Sequence, residues 1–141
     1  MPVESVIALD VGERRIGVAV SDPLGSMAFP YATIERTNVR ADIARIVTIA
    51  DDRLARTIVV GDPLTLAGKR ALAAEKMDAF VAHLARAYDG AIVRVDERLT
   101  TAAAQKQLIG ADVSRKKRKD IVDQIAAALI LETYLARQRR T

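Results

Sequence analysis

Residues Val6 to Leu9 form an unbroken apolar run, "VIAL", and the residue that closes it is Asp10. Runs of this kind belong to strands covered on both faces, so the chain must place helices on either side of a sheet. A carboxylate at the mouth of such a strand is costly to desolvate unless a cation, a set of hydrogen bonds or a metal compensates it. The same few positions therefore constrain both the fold class and the first candidate for chemistry.

Downstream, "VGERRIGVAVSD" predicts a short connection at Gly12 and a second strand, Ile16 to Ser21, most simply a hairpin. "DPLG" is a turn, and "MAFPYATI" supplies a third strand that Pro30 moves toward an edge. Helix and strand then alternate. "ADIARIVTIADDRL" has helical spacing, and "TIVVGDP" is a β-branched strand ended by Gly61 and Pro63. A helix from about Lys69 to Tyr88 precedes the strand "AIVRVDE". "TTAAAQKQL" reads as a short helix capped by Thr100 or Thr101, and a final helix runs from about Asp120 to Arg137. This order predicts one mixed α/β sheet of five strands flanked by helices, in a single domain over residues 1–141.

Composition removes several chemistries. None of the 141 residues is cysteine, which excludes disulfides, thiolate nucleophiles and cysteine-ligated metals. The one histidine, His83, cannot build a multi-histidine zinc site. It lies in a helix whose apolar face is Met77, Phe80, Val81, Leu84 and Tyr88, and reads as a surface or boundary residue. Any metal must then be held by oxygen. The N-terminus has no secretory pattern and no run approaches a membrane span, so a cytoplasmic protein without a membrane partner is expected.

Asp10 and Glu97 each end a predicted strand, and open α/β sheets bind ligands beyond the carboxyl ends of their strands. The plainer alternative pairs Asp10 with Arg14 or Arg15, and Glu97 with Arg98 or a helix terminus. Asp123 is a third candidate. At about 100° per residue it shares a helix sector with Ala127, Ile130 and Tyr134, while Glu132 lies opposite. Its rival Asp120 is explained by the dipole at a helix start. Three carboxylates from separate elements suit magnesium or manganese, and two such ions about 4 Å apart could activate water against a phosphodiester.

The formal charge of +4 is clustered, with Arg115, Lys116, Lys117, Arg118 and Lys119 in succession before the final helix. Positive charge opposes the macrodipole there, so helix stability does not explain it. Contact with phosphate does, with a solvated loop or a localisation tag as the alternatives. Arg14, Arg15 and Arg98 could widen the patch. The aromatic residues are too sparse to suggest a base-stacking platform.

"ALDVGERRIGVAVSDPLG", "IVVGDPL", "VDERLTT" and "VSRKKRKDIVDQIAAALILETYL" occur in succession over almost the whole chain and together resemble the YqgF/RuvX family of bacterial proteins. The resemblance implies a ribonuclease-H-like fold related to Holliday-junction resolvases, and a nuclease that matures the 5′ end of pre-16S ribosomal RNA. It also implies a carboxylate site at Asp10, Glu97 and Asp123 that holds Mg or Mn. Asp62 departs from the pattern, in which the residue between the glycine and proline of "GDP" is uncharged. The implied partners are structured nucleic acid, precursor rRNA or junction DNA, and a pre-ribosomal particle, with the protein a monomer or homodimer. Two other functions are weighed beside this one: a resolvase of four-way DNA, and an RNA-binding ribosome-assembly factor without hydrolytic activity.

Overall fold

The computed structural model describes the backbone of residues 5–62, 68–96 and 115–139, with side chains except at 68–71, 73 and 115–120. Its elements are β1 (Ser5–Val11), β2 (Arg15–Ser21), β3 (Ala28–Glu35), α1 (Val39–Asp52), β4 (Ala55–Asp62), α2 (Gly68–Ala87), β5 (Ala91–Asp96) and α3 (Arg115–Arg139). The five strands form one sheet in the order β3-β2-β1-β4-β5. The first three are antiparallel neighbours, and β4 and β5 run parallel to β1. This is the mixed sheet expected from the order of apolar runs. β3 lies at an edge, where Pro30 leaves no central ladder position short of a donor. The short helix expected at 100–108 lies outside the described residues.

Side-chain alternation divides the core into two layers. Ile7 and Leu9 of β1, Ile16, Val18 and Val20 of β2, and Ile58 and Val60 of β4 pack with α1 and α2. On the other face, Val6, Ala8, Ala19, Val59 and Val95 pack against Ala126, Ala127, Ile130 and Leu131 of α3. Coverage on both sides is why β1 carries no polar residue between Val6 and Leu9. Small residues on the α3 side let that helix lie close to the sheet. The predicted apolar face of α2 is observed, with Met77, Phe80, Leu84 and Tyr88 buried and His83 exposed.

α3 begins five residues earlier than expected, so Arg115 to Lys119 form its first turns instead of a preceding loop. Basic charge opposes the dipole of a first turn. A term of about 0.3–1 kcal/mol is outweighed by the continuous apolar face that follows. At the start of α1, Asn38 Oδ1 accepts a hydrogen bond from Ala41 N at 2.9 Å. The buried Asp42 accepts from Arg36 Nε and Thr37 N, each at 3.1 Å. Arg36 also donates to Gly12 O at 2.8 Å, which ties the β1–β2 hairpin to the entry of α1.

Candidate active site

Asp10 sits near the C-terminal end of the central strand and is 5% exposed. Its parity follows Val6 and Ala8, so its side chain is on the α3 face. Its partner in the β1–β2 ladder is Gly17. On β4, the position after the Leu9–Val60 pair is Gly61, so neither neighbouring strand sets a side chain beside Asp10.

Gly17 gives α3 its point of closest approach. A Cβ at that position would overlap the backbone carbonyl of Asp123 and lie 2.9 Å from the Asp123 Cβ. Opposed residues of an antiparallel pair have Cα atoms about 4.5–5.5 Å apart, so Asp123 stands over the immediate neighbour of Asp10. One residue on, Gln124 Nε2 donates to Thr33 Oγ1 at 3.2 Å, and Thr33 is the β3 partner of Gly17. Sequence periodicity placed Asp123 correctly within an apolar stripe: Ala127 and Ile130 are fully buried and Tyr134 is partly buried. Gly17 went unremarked, although an isolated glycine inside a strand is the signal of close backbone approach.

Arg15 bonds Asp123, not Asp10: its Nε lies 3.0 Å from Asp123 Oδ2, with the two side chains 22% and 16% exposed. The cross-hairpin pairing of Asp10 with this arginine is therefore replaced by a bridge from hairpin to helix. Arg14, next along, is exposed.

Asp62 belongs to the opposite face. It shares parity with Ile58 and Val60 and pairs at 3.2 Å with Arg94, which also meets Asp78 of α2 at 2.6 Å. Burial works against the charge on Arg94, but hydrogen bonds and attraction from Asp78 and Asp62 outweigh it and raise its pKa. The sheet thus separates Asp62 from Asp10 and Asp123.

Glu97 and Arg98 lie outside the described residues, as do the side chains of Arg115, Lys116, Lys117, Arg118 and Lys119. Val95, two residues before Glu97, faces α3 on strand β5, and β4 alone separates β5 from β1. Two strand spacings are about 10 Å, within which long side chains or ions can converge. Among the described residues, no three His, Cys, Asp or Glu side chains are grouped to hold a metal, and no helix is long and apolar enough to cross a membrane.

This geometry can be set beside known proteins. A protein of Halalkalibacterium halodurans named "putative pre-16S rRNA nuclease" is 44% identical over 135 residues, covering 94% of this chain and 96% of its own. Proteins of the same name from Nitrobacter winogradskyi and Clostridium tetani are 43% and 45% identical, over 97% and 92% of this chain and 86% and 94% of theirs. Among solved structures, Thermus thermophilus RuvC in complex with a Holliday junction substrate matches with a TM-score of 0.60 at 15% identity, covering 96% of each chain. A second Thermus thermophilus RuvC structure matches with a TM-score of 0.55 at 13% identity, over 95% of this chain and 96% of that one. These likenesses establish the fold, which is ribonuclease-H-like as expected. The family described as "RuvX: Holliday junction resolvase" matches residues 4–137, and the chain belongs to it.

Proposed function

We propose that the protein is a metal-dependent nuclease that processes the 5′ end of pre-16S rRNA, with Asp10, Glu97 and Asp123 as its ligands for Mg or Mn. The observation that carries this reading is the buried Asp10 opposite Gly17, with α3 bringing Asp123 over that glycine. The names of the relatives support the RNA substrate.

The donor set suits the ion. Oxygen ligands alone favour hard dications, and the close approach of α3 at Gly17 brings Asp123 over the immediate neighbour of Asp10. When bound, such ions lower the pKa of water and neutralise charge at the leaving oxygen. The protein's own contributions are distinct. Burial keeps water from competing at Asp10, Arg15 fixes the rotamer of Asp123, and Arg14 with Arg115, Lys116, Lys117, Arg118 and Lys119 supplies charge for phosphates, extended by Arg98.

The family description supports a second reading, resolution of four-way DNA junctions, a reaction whose symmetric cuts would suit a dimer. Both substrates, end-labelled, are incubated with wild type and Asp10→Asn, with Mg, Mn or chelator. The expected result is metal-dependent cleavage of precursor rRNA, lost in Asp10→Asn while RNA binding persists. Junction cleavage alone supports the second reading. RNA binding without cleavage under any metal overturns both and leaves an assembly factor.

A further inference from the structure

A shallow groove of about 460 Å3 runs between the edge strand β3 and α1, lined by Thr33, Ile34, Ala44, Arg45, Thr48 and Ile49. The groove lies on the α1 side of the sheet, opposite the face that carries Asp10 and Asp123, and adjoins the candidate site at Thr33, whose hydroxyl accepts from Gln124 beside Asp123. Arg36 N donates to Arg14 O at 2.9 Å and its side chain holds Gly12, so the exit of β3 touches the hairpin that follows Asp10. Arg40 is exposed one turn before Ala44 on the same face of α1. Neither Arg40 nor Arg45 makes an ion pair among the described residues, and Arg45 reaches only the carbonyl of Glu35, at 3.3 Å. Two guanidinium groups are thus available to an anion along this track.

The far end is aromatic. Phe29 and Tyr31 are 44% and 43% exposed on β3. The guanidinium carbon of Arg53 sits 5.6 Å from the centroid of the Tyr31 ring, holding the ring in place while much of it stays open to solvent. From Arg40 to Arg53 the helix rises about 20 Å. The last turn of α1 carries Asp51 and Asp52, so the favourable charge is concentrated at the end nearer the candidate site.

The geometry points to this groove as the track of a single-stranded nucleic-acid segment leaving the candidate active site, its phosphates on Arg40 and Arg45 and a base stacked on Tyr31. The inference rests on the nuclease reading above. Cations followed by an exposed ring match a polyanion bearing planar groups, whereas an apolar peptide would leave both guanidinium groups unanswered. Aromatic residues are too sparse for a platform, but two of them, Phe29 and Tyr31, share one edge strand.

The test is fluorescence anisotropy in chelator, with the full chain and a labelled single-stranded oligouridylate of about twenty nucleotides. Tyr31→Ala should weaken binding about fivefold or more, the loss of one base stack. Arg40→Glu with Arg45→Glu should weaken it and flatten the salt dependence by about 1.4 in log–log slope, two single-strand phosphate contacts. Circular dichroism checks folding, and the arginine pair carries the test should Tyr31→Ala unfold. Unchanged affinity and slope in the arginine pair overturn the track. So does a change in oligomeric state by light scattering with affinity intact, which makes the face an interface between copies. Wild type that binds neither oligouridylate nor precursor rRNA overturns the nuclease reading as well; wild type that binds while the variants match it overturns the track alone.

Discussion

Arg15 and Asp123, 108 positions apart in sequence, meet through a 3.0 Å hydrogen bond from Nε to Oδ2. The bridge joins the hairpin after Asp10 to α3 and puts a cation on one of the proposed metal ligands. Both side chains are partly solvated, so the pair contributes no more than about 1 kcal/mol to stability. Its larger effect is electrostatic. A guanidinium on Oδ2 competes with a dication for the same oxygen, so Arg15→Gln should tighten Mg binding several-fold in titration calorimetry. The same variant should bind RNA more weakly, because one cation is lost from the hairpin. Unchanged metal affinity would show that Asp123 does not meet the ion.

Gly17 is the position where the sheet admits α3. Any side chain there meets backbone, the Asp123 carbonyl, which cannot rotate away. Gly17→Ala should therefore displace the helix and lower stability by about 1–3 kcal/mol, the usual range for overpacking. Asp123 moves with its backbone, so cleavage should fall much further than stability. Urea unfolding beside single-turnover cleavage separates the two. A variant of normal stability and full activity would show that the approach at Gly17 is not needed.

Much of this arrangement was legible in the residues. The unbroken run before Asp10 predicts a central strand, and Pro30 predicts the edge position of β3, because each follows from local sterics and burial. Asp123 could be singled out by helical period alone. Pair formation was not legible. Nothing local tells whether Arg15 meets Asp10, five positions earlier, or Asp123 on another element, since that depends on how α3 lies across the sheet. The place of Asp62 was equally hidden. Strand parity sends it away from Asp10, but only the register of β4 beside β1 reveals which face is which. The start of α3 was hidden as well, because packing farther along the helix, not the residues at its terminus, decides the boundary.

Arg36 and Asp42 form a second bridge, one that holds the hairpin instead of the helix. Asp42 is 1% exposed and accepts from Arg36 and the Thr37 amide, while Arg36 also holds the Gly12 carbonyl and stacks over Phe80 at 5.6 Å. Removing one partner of such a pair leaves a largely buried charge behind. With Arg36 about one-fifth exposed, Asp42→Ala should cost about 2–4 kcal/mol by urea unfolding, below the full buried-pair range. Amide exchange at residues 12–14 should accelerate with it, because Arg36 loses the contact that orients it toward Gly12. Normal stability and unchanged exchange would remove Arg36 from any role in positioning the hairpin.

Asp22 closes the turn before β3 and gives the fold a pH-dependent element. Its Oδ1 accepts from the Met27 and Ser26 amides and its Oδ2 from the Ser26 hydroxyl, all at 2.7 Å. These bonds, the Met27 amide foremost, lower its pKa from 3.8 to about 2. A folded pKa below the unfolded one means that the unfolded chain takes up protons first. The contribution is therefore complete at neutral pH, declines as pH falls below about 4, and is gone once the folded carboxylate is protonated near 2. Asp22→Asn keeps one oxygen acceptor and removes the charge. The thermal midpoint of wild type should exceed that of the variant above about pH 5, and the gap should close between about pH 4 and 2. A carbon-detected titration of the Asp22 carboxyl should have its midpoint near 2. A midpoint near 4, or a gap that does not vary with pH, would show that the turn's amides do not hold this carboxylate in solution.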